Sequence, residues 1–182
     1  MSNPSERYDR VASLLHGLIG LALLGQIVFG FLLDEIAPRG TPARAGVINL
    51  HKSLGIALAL LIVLRIVWRL RHRPPAWPAS LPAWQGRAAR IGHAALYVCM
   101  LTMPVSGCIA SNFSKHGIKF FGFALKPWGP DLPWVYAAFN LVHVSTAWVF
   151  TVLIAGHVLF AARHARLERN GLLARISPWA AR

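Results

Sequence analysis

Charge is scarce in this chain, and negative charge scarcer still. Of its 182 residues, 14% are charged and 55% are apolar, whereas a soluble domain carries about 25% charged residues. The deficit points to a chain whose solvent is partly lipid. It is read as one membrane domain over residues 1–182, with no room for a second globular unit. Six acidic residues face 19 basic ones, a net charge of +13. Taken alone, that excess suggests a nucleic-acid binder. The basic residues, however, cluster between long apolar runs, as topology signals do, so no nucleic-acid partner is expected. Cysteine is nearly absent. Cys99 and Cys108 share one apolar run, and at about 100° per residue they face opposite sides of a helix and cannot pair. They read as small buried hydrophobes. There is no Cys-x-x-Cys-His, so nothing suggests covalent c-type haem attachment. Internal repeats and low-complexity tails are lacking too. The first apolar run has no convincing small-residue cleavage site and is too long for a signal peptide, so it reads as a retained helix.

What the chain does have is four apolar runs long enough to cross a hydrocarbon core, which takes about 20 residues. They extend from about Val11 to Leu33, Val47 to Leu70, Ala88 to Ala110 and Trp134 to Ala162. The fold expected is all-α, a four-helix transmembrane bundle. Breakers fill the connections: Pro38, Gly40 and Pro42; then Pro74, Pro75, Pro78 and Pro82; then Gly117, Gly122, Pro127, Gly129, Pro130 and Pro133. These stretches read as loops. Thirteen basic residues fall on one side: Arg7, Arg10, Arg65, Arg69, Arg71, Arg73, Arg87, Arg90, Arg163, Arg166, Arg169, Arg175 and Arg182. The other side holds six: Arg39, Arg44, Lys52, Lys115, Lys119 and Lys126. The positive-inside rule then makes both termini cytoplasmic in a multi-pass protein of the bacterial inner membrane. Trp68, Trp77, Trp84, Trp128 and Trp134 stand near segment ends, where aromatic belts form.

Ionisable residues at membrane depth are costly, so each one is a functional hypothesis. Five of the eight histidines lie there: His16, His51, His93, His143 and His157. His16 follows Arg10 by six residues and His157 precedes Arg163 by six. Each is thus about 9 Å from its basic flank, on the inner side. His51 and His143 lie near the outer ends of their segments and share an outer level. His143 and His157 are fourteen residues apart, about 21 Å along one helix and about 40° apart in azimuth. Two ligand pairs, one above the other, is an arrangement this spacing permits. Two axial histidines on facing helices, with apolar walls and small residues nearby, suit a haem iron. Gly17, Gly20, Gly55 and Gly156 fit such a slot, though glycine also serves ordinary helix packing in membranes. The same histidines also fit a metal pathway, a proton relay or structural hydrogen bonding.

Particular strings carry a resemblance. They are the Arg10-to-Gly17 stretch around His16, NLHKSLG around His51, LRIVWRL closing the second segment, and GHAALYVCMLTMPVSG with its Pro104–Gly107 pair. FFGFALKPW in the outer connection and His143 and His157 on the last segment complete the set. The chain resembles the prokaryotic cytochrome b561 family, close to the b-type cytochrome subunits of membrane hydrogenases, over nearly its whole length. The resemblance implies two non-covalent haem b groups, with His16 and His157 as axial ligands of the inner iron and His51 and His143 of the outer. It also implies electron transfer across the membrane. One kind of member passes electrons from superoxide to quinone. Others are electron conduits and anchors for a redox partner protein of hydrogenase type. Membership does not choose between them.

Further residues bear on this reading. His93, at the inner side of the third segment, is a candidate haem or quinone contact, or a helix-end polar residue. Arg65 stands fourteen residues after His51, near the inner level and roughly on the same face, and is a candidate propionate or quinone partner. Arg69, one turn further, reads as snorkelling to the interface. Lys52, with Lys115, Lys119 and Lys126, makes the outer side basic, a field that would steer a small anion such as superoxide. His72 and His164 read as solvated residues, and His116 as an ordinary loop histidine or a donor contact.

Overall fold

The computed structural model describes residues 7–76, 81–168 and 175–176. Trp77, Pro78, Arg169 and Arg182, used above for the belt, the loop and the topology, lie outside the described residues. Helix α1 spans Arg10–Phe31, a single turn α2 spans Leu33–Ile36, α3 spans Ala43–Arg71 and α4 spans Ala83–Asn112. Two short strands follow, β1 (Ile118–Phe120) and β2 (Phe123–Leu125). The last helix, α5, spans Pro133–Arg163 and runs on into a π-helical turn, His164–Glu168. The bundle end where α1 begins and α5 finishes is called inner below, and the opposite end outer.

Local chemistry sets the helix ends. Asp9 caps α1 by accepting the Ala12 N–H at 2.8 Å. The same carboxylate accepts the Trp68 indole N–H at 3.1 Å, tying the start of α1 to the end of α3. Arg69 lies over the Tyr8 ring, 5.6 Å from its centroid, which strengthens that tie. Proline begins three of the helices: Pro42 and Pro82 immediately precede α3 and α4, and Pro133 opens α5. This moves two starts earlier than the apolar runs indicate, to Ala43 instead of Val47 and to Ala83 instead of Ala88. The polar residues between are good helix formers, and the proline, not the edge of the apolar run, sets the boundary. At the α1–α3 corner, Arg44 donates to the carbonyls of Leu33 and Ala37, each at 2.8 Å, and pairs with Asp34 at 2.7 Å. The Leu33 carbonyl also accepts the Ala37 N–H at 3.1 Å, while that of Ala37 is one the helix end leaves open.

The outer connection, expected to be a loop throughout, contains a β-hairpin. Ile118 pairs with Leu125, Lys119 with Ala124 and Phe120 with Phe123, antiparallel. Phe121 and Gly122 make the turn, both with positive φ (46° and 95°), as a type I′ turn requires. The sequence reading missed the hairpin because each strand has only three residues, too few for an alternation to show.

Helix α1 packs on α3, α4 on α5, and α3 on α4, while β1 lies on α3. A mid-depth core joins Leu15, Ile19 and Ile27 of α1, Leu58 and Ile62 of α3, Cys99 and Met100 of α4, and Phe150 of α5. Both cysteines are free thiols. Outside this core the bundle is apolar as well: Leu21, Leu60, Val152 and Leu159 are each 65% exposed or more. A surface of that kind is stable against hydrocarbon, not water. All four long helices are long and apolar enough to cross a membrane. The chain is therefore an all-α four-helix transmembrane bundle. Replacing Asp9 with Ala removes the α1 cap and its link to Trp68. Thermal unfolding in detergent should show a loss of about 1 kcal/mol, and an unchanged midpoint would remove the capping role.

Candidate functional site

The helices bring the membrane histidines together in facing pairs. His16 of α1 and His157 of α5 have ring centroids 6.1 Å apart, with planes at 71°. His51 of α3 and His143 of α5 are 6.4 Å apart, with planes at 87°. In each pair the partners come from helices remote in sequence, and α5 supplies one ring to both.

A spacing of fourteen residues recurs on every long helix and organises the site. It separates His16 from Gly30 on α1, His51 from Arg65 on α3, His93 from Gly107 on α4, and His143 from His157 on α5. Fourteen residues return to nearly the same face about 21 Å further along. The bundle therefore has two layers. The inner layer holds His16, Arg65, His93 and His157; the outer holds Gly30, His51, Gly107 and His143.

The outer glycines make room for the outer rings. A Cβ on Gly107 would stand 3.0 Å from His143 Cε1, and one on Gly30 would stand 3.2 Å from His51 Cε1. Sequence reasoning missed Gly30 altogether and used Gly107 only as part of a family string. The fourteen-residue offset from His16 and His93 was the signal that could have found both. Of the glycines singled out from sequence, Gly55 would meet the Gln26 amide at 3.3 Å, while Gly17, Gly20 and Gly156 face open space.

Hydrogen bonds set the ring states. His143 Nδ1–H donates to the Met103 carbonyl at 2.9 Å, one residue before the helix-interior Pro104. A carbonyl only accepts, so the proton sits on Nδ1 and the Nε2 lone pair is free. His51 Nδ1 is buried without a hydrogen-bond partner. The His51 ring packs at 5.5 Å against Phe29, while its backbone carbonyl accepts the Gln26 side-chain N–H at 2.6 Å. In the inner layer, Arg65 donates from Nη2 to His16 Nδ1 at 3.1 Å and from Nε to the Tyr97 hydroxyl at 3.3 Å. His93 places a third ring beside this pair, 5.4 Å from His157.

The remaining residues sort differently from expectation in two places. His164, read as solvated, is buried at 4% exposure with its ring 4.5 Å from Phe160, because α5 continues past Arg163 as a π-turn. Lys52, counted with the outer basic surface, is half-buried and donates to the Gly117 carbonyl at 2.8 Å. Lys115, Lys119 and Lys126 are exposed, as is His116. His72 is exposed and stacks on Trp68 at 4.0 Å.

Two pairs of facing imidazoles therefore stand at two levels of one apolar bundle. The model of the prokaryotic cytochrome b561 family matches residues 7–179. The chain belongs to the prokaryotic cytochrome b561 family. It is similar to cytochrome b561 homolog 2 of Escherichia coli K12, 29% identical over 177 residues, covering 96% of this chain and 93% of the relative. Homolog 1 of the same organism is 27% identical over 141 residues, covering 78% and 80%. A probable superoxide oxidase, CybB, of Yersinia pestis is 28% identical over 135 residues, covering 71% and 73%. Membership makes the chain a bacterial membrane protein of electron transfer that binds b-type haem.

The residues present fit that cofactor. A metal–imidazole bond of about 2 Å on each side, plus about 1.1 Å from nitrogen to ring centre, sets opposed axial rings about 6 Å apart. Both pairs have that separation. Among the described residues, no group of three or more His, Cys, Asp or Glu could hold a bare ion. A tetrapyrrole supplies its own four equatorial nitrogens, so two histidines suffice. Gly107→Val would drive a side chain into the His143 ring. Haem analysis should find less haem per chain than in the unaltered protein. Full content with an unaltered spectrum would contradict the packing argument.

Proposed function

We propose that the chain is a di-haem b-type cytochrome of the inner membrane, with both termini cytoplasmic. In this reading His16 and His157 hold the inner haem, and His51 and His143 the outer. Electrons pass from an outer-side donor, superoxide, to membrane quinone. The observation that carries the reading is the pair of opposed histidine couples at two depths, sharing α5. The named activity of the Yersinia pestis relative supports the choice of donor. Haem supplies the reversible one-electron chemistry when bound. The overall reaction balances when two superoxide anions become two dioxygen molecules and quinone takes both electrons with two protons to become quinol.

The chain's own groups would serve this reaction in three ways. The four imidazoles fix two irons in a dry interior. The exposed Lys115, Lys119 and Lys126 make an outer field that draws in a small anion. Arg65 would meet a haem propionate or a quinone at the inner level. Arg65 only donates, so its contact makes His16 Nδ1 an acceptor and leaves the ring proton on Nε2. Were His16 to hold haem through Nε2, its ring proton would sit on Nδ1 and the Arg65 guanidinium would be left to pair with an anion. His93 and Tyr97 line the same space and belong to the same inner haem or quinone surroundings.

A second reading has its own observation. Phe121, Phe123 and Trp128 at the outer end are each more than half exposed, which suits docking of a redox partner protein. The chain would then be a membrane anchor and electron conduit for a hydrogenase-like complex. The purified chain separates the two, since only the first reading has it reduce quinone from superoxide unaided.

Reduced-minus-oxidised spectra should show about two low-spin haems per chain. His16→Ala or His157→Ala should remove the inner component, and His51→Ala or His143→Ala the outer. Arg65→Leu should shift only the inner potential. Haem content untouched by all four histidine changes would end the assignment. The second-order rate with superoxide should fall as ionic strength rises, and should fall several-fold when Lys115, Lys119 and Lys126 all become Gln. A rate indifferent to salt would remove the steering role.

A further inference from the structure

We propose that Ser53 is a positioning residue for His51: its buried hydroxyl fastens the outer hairpin to the turn of α3 that carries this imidazole. The proposal rests on the reading of His51 as an axial ligand.

His51 and His143 are held by different means. The His143 ring is oriented by its own hydrogen bond to Met103. The His51 ring has none, its Nδ1 being buried without a partner. Its plane is therefore set by packing on Phe29 and Gly30 and by the position of its own backbone. That backbone is pinned from two directions. On one side, the Gln26 amide of α1 donates to the His51 carbonyl at 2.6 Å. On the other, the next two residues both reach into the outer connection.

Ser53 is 1% exposed. Its Oγ accepts the Phe121 N–H at 2.9 Å. It lies 2.8 Å from the Asn49 carbonyl and 3.0 Å from the Lys119 carbonyl, and its single proton serves one of these at a time. Lys52 adds a bond to the Gly117 carbonyl at 2.8 Å. These contacts reach both ends of β1, the strand of the hairpin that packs on α3. The contact to Phe121 matters most. Phe121 has a φ of 46°, a region that a bulky residue seldom occupies. Such a backbone persists only where its surroundings hold it, and here the Ser53 oxygen takes its N–H. An exposed hairpin of three-residue strands has little stability of its own. Its attachment is to the helical turn bearing His51, so the outer cap and the outer ring share one anchor.

The test uses the full chain with haem bound, in detergent. Exchange at the Phe121 amide reports the clamp. The low-spin ferric EPR signal of the outer haem reports the mutual orientation of its two imidazoles. With Ser53→Ala, Phe121 should exchange about tenfold faster, and the outer EPR signal should shift while the inner one stays. Ser53→Thr, which keeps the hydroxyl, should restore both. Faster exchange with an unmoved outer signal would overturn the proposal, as would equal shifts of both signals. Should Ser53→Ala fail to fold, Lys52→Met removes the Gly117 contact and leaves those of Ser53 in place. It should move the outer signal in the same direction by a smaller amount, and no movement counts against the proposal. Failure of the underlying reading shows elsewhere: unchanged haem content in His51→Ala sinks the ligand assignment and the proposal with it.

Discussion

An imidazole half-buried at membrane depth has two ring nitrogens to satisfy and little water to satisfy them. This chain places five such rings inside one bundle, and much of the structure follows from accommodating them. Fourteen residues on a helix cover nearly four turns, so a residue and its fourteenth successor share a face at two depths. Each of the four long helices contributes one residue to each layer on that interval. The helices can then present matched rings only if their faces turn inward together. The mid-depth core of Ile19, Ile62, Met100 and Phe150 holds the two layers apart with a dry spacer.

The two layers solve the same problem with different chemistry. In the outer layer the histidines are opposed and the other two places are glycine, so space is given to the rings at the expense of side chains. One ring is oriented by the Met103 carbonyl and the other by its backbone and the cap above it. In the inner layer no place is empty. Arg65, Tyr97 and His93 surround the His16–His157 pair with donors and a fixed positive charge. A cationic inner layer and a closely fitted outer one give the bundle a polarity along its axis.

The lipid-facing surface carries less information. Leucine and valine make up most of its exposed large hydrophobic residues. What anchors the bundle in depth lies at its ends. Trp84, Trp128 and Trp134 are exposed near helix termini, the Asp9–Trp68 contact closes the inner end, and Arg44 closes the outer corner. These contacts fasten neighbouring helices where backbone groups would otherwise meet the interface unpaired.

Much was legible in the sequence alone. Four apolar runs declared four crossing helices, because hydrocarbon thickness imposes a length that no soluble helix needs. The flanking arginines placed His16 level with His157, and rise per residue did the rest. Even the two supporting glycines were written there, as the fourteenth residues after His16 and His93. Azimuth between helices was not. Which rings face each other, that Arg65 reaches the His16 nitrogen, that His164 is buried and that Lys52 turns to the Gly117 carbonyl all depend on how each helix is rotated about its axis. The hairpin was hidden for a related reason: three-residue strands have no period of their own, and a single hydroxyl on a distant helix holds their turn. Depth is a property of one helix and a flat membrane, so sequence determined it. Facing is a property of two helices packed together, and only the tertiary structure decided it.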